Sequence, residues 1–150
     1  MAGLKTQLQQ DLNAAMKARD ELTTATLRMA LTSITNEEVA GKAARELGDD
    51  EVLKVLVREA KKRREAAEAF DGAGRTELAA RERAEGEVLD RYLPAQLGDD
   101  ELAELITKAI ADAGATSPRD MGAVMKIVAP QVAGRADGKR VSDEVRRRLS

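Results

Sequence analysis

The stretch Leu89-Asp-Arg-Tyr-Leu-Pro-Ala-Gln-Leu-Gly-Asp-Asp100 divides the sequence into two parts. Pro94 follows a long run of helix-forming sequence, and a proline stops a helix because it lacks an amide proton and clashes with the preceding turn. Asp99-Asp100 then offers carboxylates to the free amides and the positive end of a new helix. We therefore predict a hinge at Tyr92, Leu93 and Pro94, joining a helical unit at residues 1–94 to a second unit at residues 95–150.

The composition and the spacing of apolar residues predict an all-α fold. The chain has 150 residues, of which 43% are hydrophobic and 35% charged, with one Phe, one Tyr and no Trp. Such a chain favours helices packed through aliphatic side chains. The helical period predicts four helices before the hinge, at about residues 3–18, 21–40, 47–71 and 76–93. Three more follow: one ending at Ala113-Gly114, one opening at Ser117-Pro118-Arg119-Asp120, and one carrying Val141, Val145 and Leu149.

Several classes of protein are disfavoured by what the sequence lacks. It has no Cys and no His, so it has no disulfide, no thiolate nucleophile and none of the commonest general acid and base side chain. No run reaches the roughly 20 apolar residues of a membrane span, and the polar start lacks the apolar segment of a signal peptide. We expect a cytoplasmic protein.

The pentapeptide Leu-Gly-Asp-Asp-Glu occurs twice, at residues 47–51 and 97–101. Paired carboxylates could indicate metal sites or an internal repeat. The similarity stops within a few residues, however, and acidic side chains before an apolar helical period are what helix starts favour. We interpret both copies as helix starts and expect no metal.

One charged residue interrupts the apolar stripe of each of the third and fourth helices. Spacings of seven connect Leu56, Arg63 and Phe70, and likewise Leu78, Glu85 and Tyr92. If the glycine turn at residues 71–74 makes an antiparallel hairpin, Arg63 faces Glu85. An arginine and a carboxylate can form two parallel hydrogen bonds, whereas a lone buried charge is very costly. We predict a buried structural pair between Arg63 and Glu85, and a functional role for it stays open.

Charge is distributed unevenly along the chain. The formal net charge is -2, but residues 119–150 carry eight basic and four acidic side chains, a net of +4. A local basic excess can attract phosphate even when the whole protein is weakly acidic. The same cations could equally solvate a surface and complement a helix C-terminus.

Motifs along nearly the whole chain carry a resemblance. The first unit contains Leu27-Arg28-Met29, Lys61-Lys-Arg63-Arg-Glu65 and Tyr92-Leu93-Pro94. More specific are Asp120-Met-Gly-Ala-Val-Met-Lys126 and Gly134-Arg-Ala-Asp-Gly-Lys139. Together they resemble the YqeY family (GatB/YqeY), and the C-terminal part is similar to the tail domain of the B subunit of tRNA-dependent amidotransferase. That tail usually reads Gly-Lys-Ala-Asn-Pro, whereas this chain has Arg135 and Asp137-Gly138, so it looks like the free-standing branch.

The resemblance implies a two-part helical fold and, by analogy, a role. In the amidotransferase the tail helps to hold the tRNA, while the chemistry lies elsewhere. We therefore expect a non-catalytic accessory protein that associates with tRNA or another RNA, with an amidotransferase or an aminoacyl-tRNA synthetase as possible protein partners. The expected RNA contacts lie where the shared motif coincides with positive charge, at Lys126, Arg135, Lys139 and Arg140. The alternative is a protein–protein interaction module without nucleic-acid binding, using the Met and Val face of the sixth helix.

A catalytic role finds no support in the residues. The family is related to carbon–nitrogen ligases that use glutamine as the amide donor, and such chemistry needs an activated nucleophile. The serines are Ser33, Ser117, Ser142 and Ser150, none of which has a recognisable activating base in the sequence. No phosphate-binding glycine loop is present. We expect no cofactor, no small-molecule ligand and no catalytic residue, and we treat a ligase label as inherited from the larger enzyme.

Overall fold

The computed structural model describes residues 3–150, and the fold is all-helical within them. Its helices are α1 (Leu4–Lys17), α2 (Glu21–Glu38), α3 (Asp49–Gly72), α4 (Thr76–Asp90), α5 (Asp99–Ala113), α6 (Met121–Val132) and α7 (Gly138–Leu149). A short 3-10 turn, Pro118–Asp120, precedes α6. No strand occurs in this part of the chain, which confirms the predicted fold class. None of these helices is both long and apolar enough to cross a lipid bilayer.

The first compact unit ends at Leu93 and contains α1 to α4. Its core is aliphatic, with Leu8, Leu27, Ile34, Leu56 and Leu89 all 0% exposed. The α3–α4 hairpin extends beyond this core, where its buried side chains are Ala67 and Ala79. Small side chains let the two helix backbones approach closely along that outer part.

The second compact unit begins at Pro94 and contains α5 to α7. Val124 and Val128 of α6 are fully buried against Ile106, and Met121 and Met125 pack against the same cluster. The Met and Val face that an interaction module would use therefore lies in the core of this unit. That these two units are separate domains joined by a hinge stays a prediction.

Both copies of the repeated pentapeptide begin a helix in the same way. Gly48 and Gly98 are the N-caps of α3 and α5, with φ, ψ of -75°, 170° and -74°, 168°. The preceding leucines, Leu47 and Leu97, are 6% and 4% exposed and anchor the chain. The expectation that an aspartate side chain caps α5 is wrong, because neither glycine cap is assisted by a side chain. The acids stand instead in the first turn, where they stabilise the positive end of the helix dipole.

α4 ends at Asp90, three residues before the predicted end at Leu93. The next amides bond to the residue three back rather than four back, from Tyr92 N to Leu89 O and from Leu93 N to Asp90 O. The residue before a proline is disfavoured in the helical conformation, so Pro94 acts on the chain that precedes it. The break therefore begins earlier than the proline itself.

The connection between α1 and α2 requires a left-handed residue. Arg19 has φ 57°, and it is a non-glycine residue. The amide of Asp20 reaches back to Ala15 O at 3.0 Å, which closes the end of α1. Asp20 then caps α2 through its side chain, which accepts a hydrogen bond from the amide of Thr23.

Candidate nucleic-acid interface

The turn between α6 and α7 positions three of the four residues predicted to contact RNA. Gly134, with φ 74°, reverses the chain after α6. Asp137 then caps α7 by accepting a hydrogen bond from the amide of Lys139 at 3.2 Å. Local backbone geometry thus sets Arg135 before the helix and Lys139 and Arg140 in its first turn.

Two of these residues tie the turn to the segment before α5. Arg135 Nε donates to Ala95 O, and Arg140 Nη1 donates to Leu97 O, each at 3.2 Å. The backbone closes the same contact, because Leu97 N donates to Arg135 O at 2.8 Å. Arg135 and Arg140 therefore have a structural role that the sequence analysis did not foresee. Every residue has a backbone carbonyl, so the sequence gives no sign of which carbonyl an arginine will bind, and this role could not be predicted from it.

Acidic side chains stand beside each cation of the turn. Arg140 pairs with Asp99, while Arg135 Nη2 lies 3.9 Å from Glu101 Oε2 and Lys139 Nζ 3.9 Å from Asp143 Oδ2. Lys126, on α6, is exposed and forms no ion pair within residues 3–150. The positive charge of the turn is thus largely balanced. Lys126 and Lys139 are the most available cations of the predicted set.

Only part of the predicted set shares one surface depression. Lys139 and Arg140 line a shallow pocket of about 460 Å³ together with Arg147. Asp143 and Glu144 line it too, whereas Lys126 and Arg135 do not. A phosphate placed there would meet carboxylates as well as cations.

The basic end of α7 is also neutralised. Arg147 and Arg148 both donate to Glu144 Oε1, at 2.6 and 2.9 Å. Their hydrogen bonds lower the pKa of Glu144 to about 2. The carboxylate is therefore ionised at neutral pH and offsets the arginines beside it.

The predicted pair of Arg63 and Glu85 is part of a larger charged layer. Arg63 Nε lies 3.7 Å from Glu85 Oε2, and the side chains are 20% and 17% exposed. The shorter contact is to Glu59 on the same helix, where Arg63 Nη2 lies 3.2 Å from Oε2. Glu82 Oε2 is 3.6 Å from Arg63 Nη1. One guanidinium therefore serves three carboxylates, and the contact to Glu85 is the longest of them.

Glu59 is the most buried carboxylate of this layer and was missed by the sequence analysis. It is 4% exposed and accepts hydrogen bonds from Ser33 Oγ at 3.1 Å and Lys62 Nζ at 3.3 Å. Ser33, for which the sequence showed no activating base, thus donates to a carboxylate that is already paired with Lys62 and Arg63. Glu59 is occupied by two cations, so its charge stabilises the helix interface. The spacing of four residues between Glu59 and Arg63 was the available signal.

The predicted hinge residues are partly buried rather than free. Tyr92 OH donates to Asp11 Oδ2 at 2.5 Å. Burial and this hydrogen bond raise the pKa of the Tyr92 hydroxyl, so it stays protonated. Tyr92 and Leu93 pack against the core of the first unit and so anchor its end.

Metal ligation finds no site in the described residues. No group of three or more carboxylates within residues 3–150 is arranged to hold a metal ion. Glu59 and Asp99 are instead paired with arginines, and Asp49 accepts a hydrogen bond from the amide of Leu4. The chemical capacity of these surfaces is electrostatic contact and hydrogen bonding.

Comparisons with known proteins match almost the whole chain. A family model described as Yqey-like protein matches residues 5–149. The chain is 31% identical over 126 residues to "Altered inheritance of mitochondria protein 41, mitochondrial" of Clavispora lusitaniae, covering 82% of this chain and 72% of that protein. It is 34% identical over 92 residues to "Uncharacterized protein C22F3.15" of Schizosaccharomyces pombe, covering 61% of this chain and 72% of that protein.

Proposed function

Because this chain belongs to the YqeY family, we propose that it is a non-catalytic accessory protein that associates with tRNA through its second unit, as the resembling amidotransferase tail does. The proposed compartment is the cytoplasm. Its protein partner in this role is an amidotransferase or an aminoacyl-tRNA synthetase. The two units act as domains about the Tyr92-Leu93-Pro94 segment. The name of one relative refers to mitochondrial inheritance and to mitochondria, and for this chain it supports an accessory role.

One observation carries the RNA proposal. Lys139 has a side chain that is 81% exposed, and Asp143, the acid beside it, lies 3.9 Å away; Lys126 is exposed without an ion pair in the described chain. Lysine is a compact cation that contacts phosphate without needing fixed geometry. Lys126 and Lys139 are the proposed phosphate contacts. Arg135 and Arg140 hold the turn in place and add donors that the turn does not use.

The test measures the binding of bulk tRNA at low salt by fluorescence anisotropy. The double substitution Lys126→Gln and Lys139→Gln should weaken binding and reduce the slope of log affinity against log salt by about two. Its matched control is Lys17→Gln with Lys54→Gln, two exposed lysines of the first unit. The control removes the same charge and should bind like the wild type.

Two results would reject the RNA proposal. One is absence of affinity at low salt, and the other is equal binding by the double variant and the wild type. The alternative, a protein–protein interaction module, would then stand, and the pairing of Arg135 and Arg140 with Glu101 and Asp99 favours it. Such a surface has balanced charge and suits a protein of mixed charge better than a polyanion.

A further inference from the structure

A groove of about 550 Å³ lies in the first unit, beside α1 and the end of α4. It is lined by small side chains of α1 and of the residue that ends it: Ala14, Ala15 and Ala18. Charged side chains that are distant in sequence, Asp20 and Arg91, also line it. The groove is wide open to solvent, and its volume compares with that of small-molecule sites, roughly 300–1,000 Å³. The groove shares no residue with the proposed RNA contacts.

The groove is lined by a cation and a carboxylate that form no ion pair with each other. The hydrogen bonds from Thr23 lower the pKa of Asp20 most, and the charge of the Arg91 guanidinium lowers it further. Yet the Arg91 side chain has no hydrogen bond, and no ion pair within 4.0 Å, in residues 3–150. All its guanidinium donors are therefore available to a ligand.

The carboxylates of the groove are fixed in position but retain acceptor capacity. Asp20 accepts from Thr23 N at 3.1 Å on one oxygen and from Thr23 Oγ1 at 2.7 Å on the other. Asp11 is held in the same way, by Gln7 Nε2 at 2.9 Å and Tyr92 OH at 2.5 Å. Each carboxylate oxygen can accept two hydrogen bonds, so each keeps a place for a further donor.

We propose that this groove binds a small zwitterion of the α-amino-acid type, with a carboxylate and an ammonium group close together. The carboxylate accepts two hydrogen bonds from Arg91, whose planar fork matches it. The ammonium group donates to Asp20, and an aliphatic side chain lies on the alanines of α1. A simple anion would meet the carboxylates of Asp11 and Asp20, and a simple cation would leave the donors of Arg91 without a partner. Only a ligand that carries both charges uses both kinds of group.

Three probes with one carbon skeleton separate these contributions. They are L-leucine, 4-methylpentanoate, which lacks the amine, and isopentylamine, which lacks the carboxylate. Each is titrated into the ¹⁵N-labelled full chain while the amide signals of Thr23, Arg91 and Tyr92 are followed by NMR. Leucine should shift these signals at concentrations at least about tenfold lower than either single-charge probe, because each charged group contributes a charge-assisted hydrogen bond.

Two substitutions and one control identify the residues involved. Arg91→Gln and Asp20→Asn should each weaken leucine binding about tenfold or more, and asparagine still accepts the capping bond from Thr23. Arg64→Gln, at another exposed arginine without an ion pair in the described chain, should leave it unchanged. The proposal is overturned if leucine shifts none of the three amides, or if 4-methylpentanoate binds as tightly as leucine. The tRNA measurement is independent of both outcomes.

Discussion

Replacing Arg63 with alanine should lower the free energy of unfolding of the first unit by about 3 kcal/mol. The guanidinium lies 3.2 Å from Glu59, 3.6 Å from Glu82 and 3.7 Å from Glu85. Its removal leaves Glu59, only 4% exposed, with Lys62 as its remaining cation. Breaking a buried pair costs about 3–5 kcal/mol, and the 20% exposure of Arg63 places this change at the lower end of that range.

The distances predict that the layer responds unequally to loss of its members. Glu85→Ala should cost only about 0.5–1 kcal/mol, because its contact with Arg63 is 3.7 Å and its other partner, Arg81, is 62% exposed. Glu59→Ala should lower the free energy of unfolding by at least about 1 kcal/mol less in the Arg63→Ala background than in the wild type, because Glu59 and Arg63 are in contact. Arg81→Ala is the control for loss of an exposed cation.

Urea unfolding followed by tyrosine fluorescence measures these differences. Tyr92 is the only tyrosine in a chain without tryptophan, and it packs in the first unit. Its signal therefore reports on the unit that contains Arg63, while circular dichroism reports on all helices. If Arg63→Ala costs no more than Glu85→Ala, the reasoning that Glu59 depends on Arg63 is refuted.

Three further changes test the helices. Gly86→Ala should raise the free energy of unfolding by about 0.5–1 kcal/mol, because the glycine is inside α4 and the new methyl group would meet Arg63 Cβ at an ordinary 3.6 Å. A loss of stability in urea unfolding would show that the space between α3 and α4 is too small for a methyl group. Arg19→Gly should raise the free energy of unfolding by about 1 kcal/mol, because Arg19 has φ 57° and glycine adopts this conformation without strain. The control Arg28→Gly, inside α2, should lower the free energy of unfolding instead. The depressed pKa of Glu144 predicts that its stabilising effect on the second unit is complete above about pH 4.5 and is lost as the pH falls towards 2. The melting temperature of Glu144→Gln should lack this part of the pH dependence. A pH profile equal to that of the wild type would contradict the stabilising role of Glu144.

Local signals in the sequence located the helices, but contacts between distant residues were not accessible in the same way. The break near Pro94 and the cap at Asp20 follow from the chemistry of single residues and their neighbours. Arg63 was placed opposite Glu85 by a heptad argument that assumed one register for the hairpin. In the structure, the Cβ position of Gly86 approaches Arg63 Cβ to 3.6 Å, and the arginine reaches both helices.

The candidate RNA contacts show the same limit. Positive charge and motif could select Arg135 and Arg140, but not the carbonyl oxygens of Ala95 and Leu97 that they bind. These contacts join residues about 40 positions apart, and their acceptors are present at every residue of any sequence. The phosphate-binding role of Lys126 and Lys139 stays a prediction for the same reason, since nothing in the chain itself completes the contact.

The two copies of Leu-Gly-Asp-Asp-Glu have a consequence for the order in which the chain folds. In both copies the last acid meets an arginine, Glu51 with Arg45 and Glu101 with Arg135. The first pair is separated by 6 residues and the second by 34, so closing the second loop costs about 1.5 kcal/mol more chain entropy. The two helix starts have the same sequence but should therefore form at different stages of folding. We expect the start of α3 to be fixed early, and the start of α5 to stay loose until the turn between α6 and α7 has docked on it.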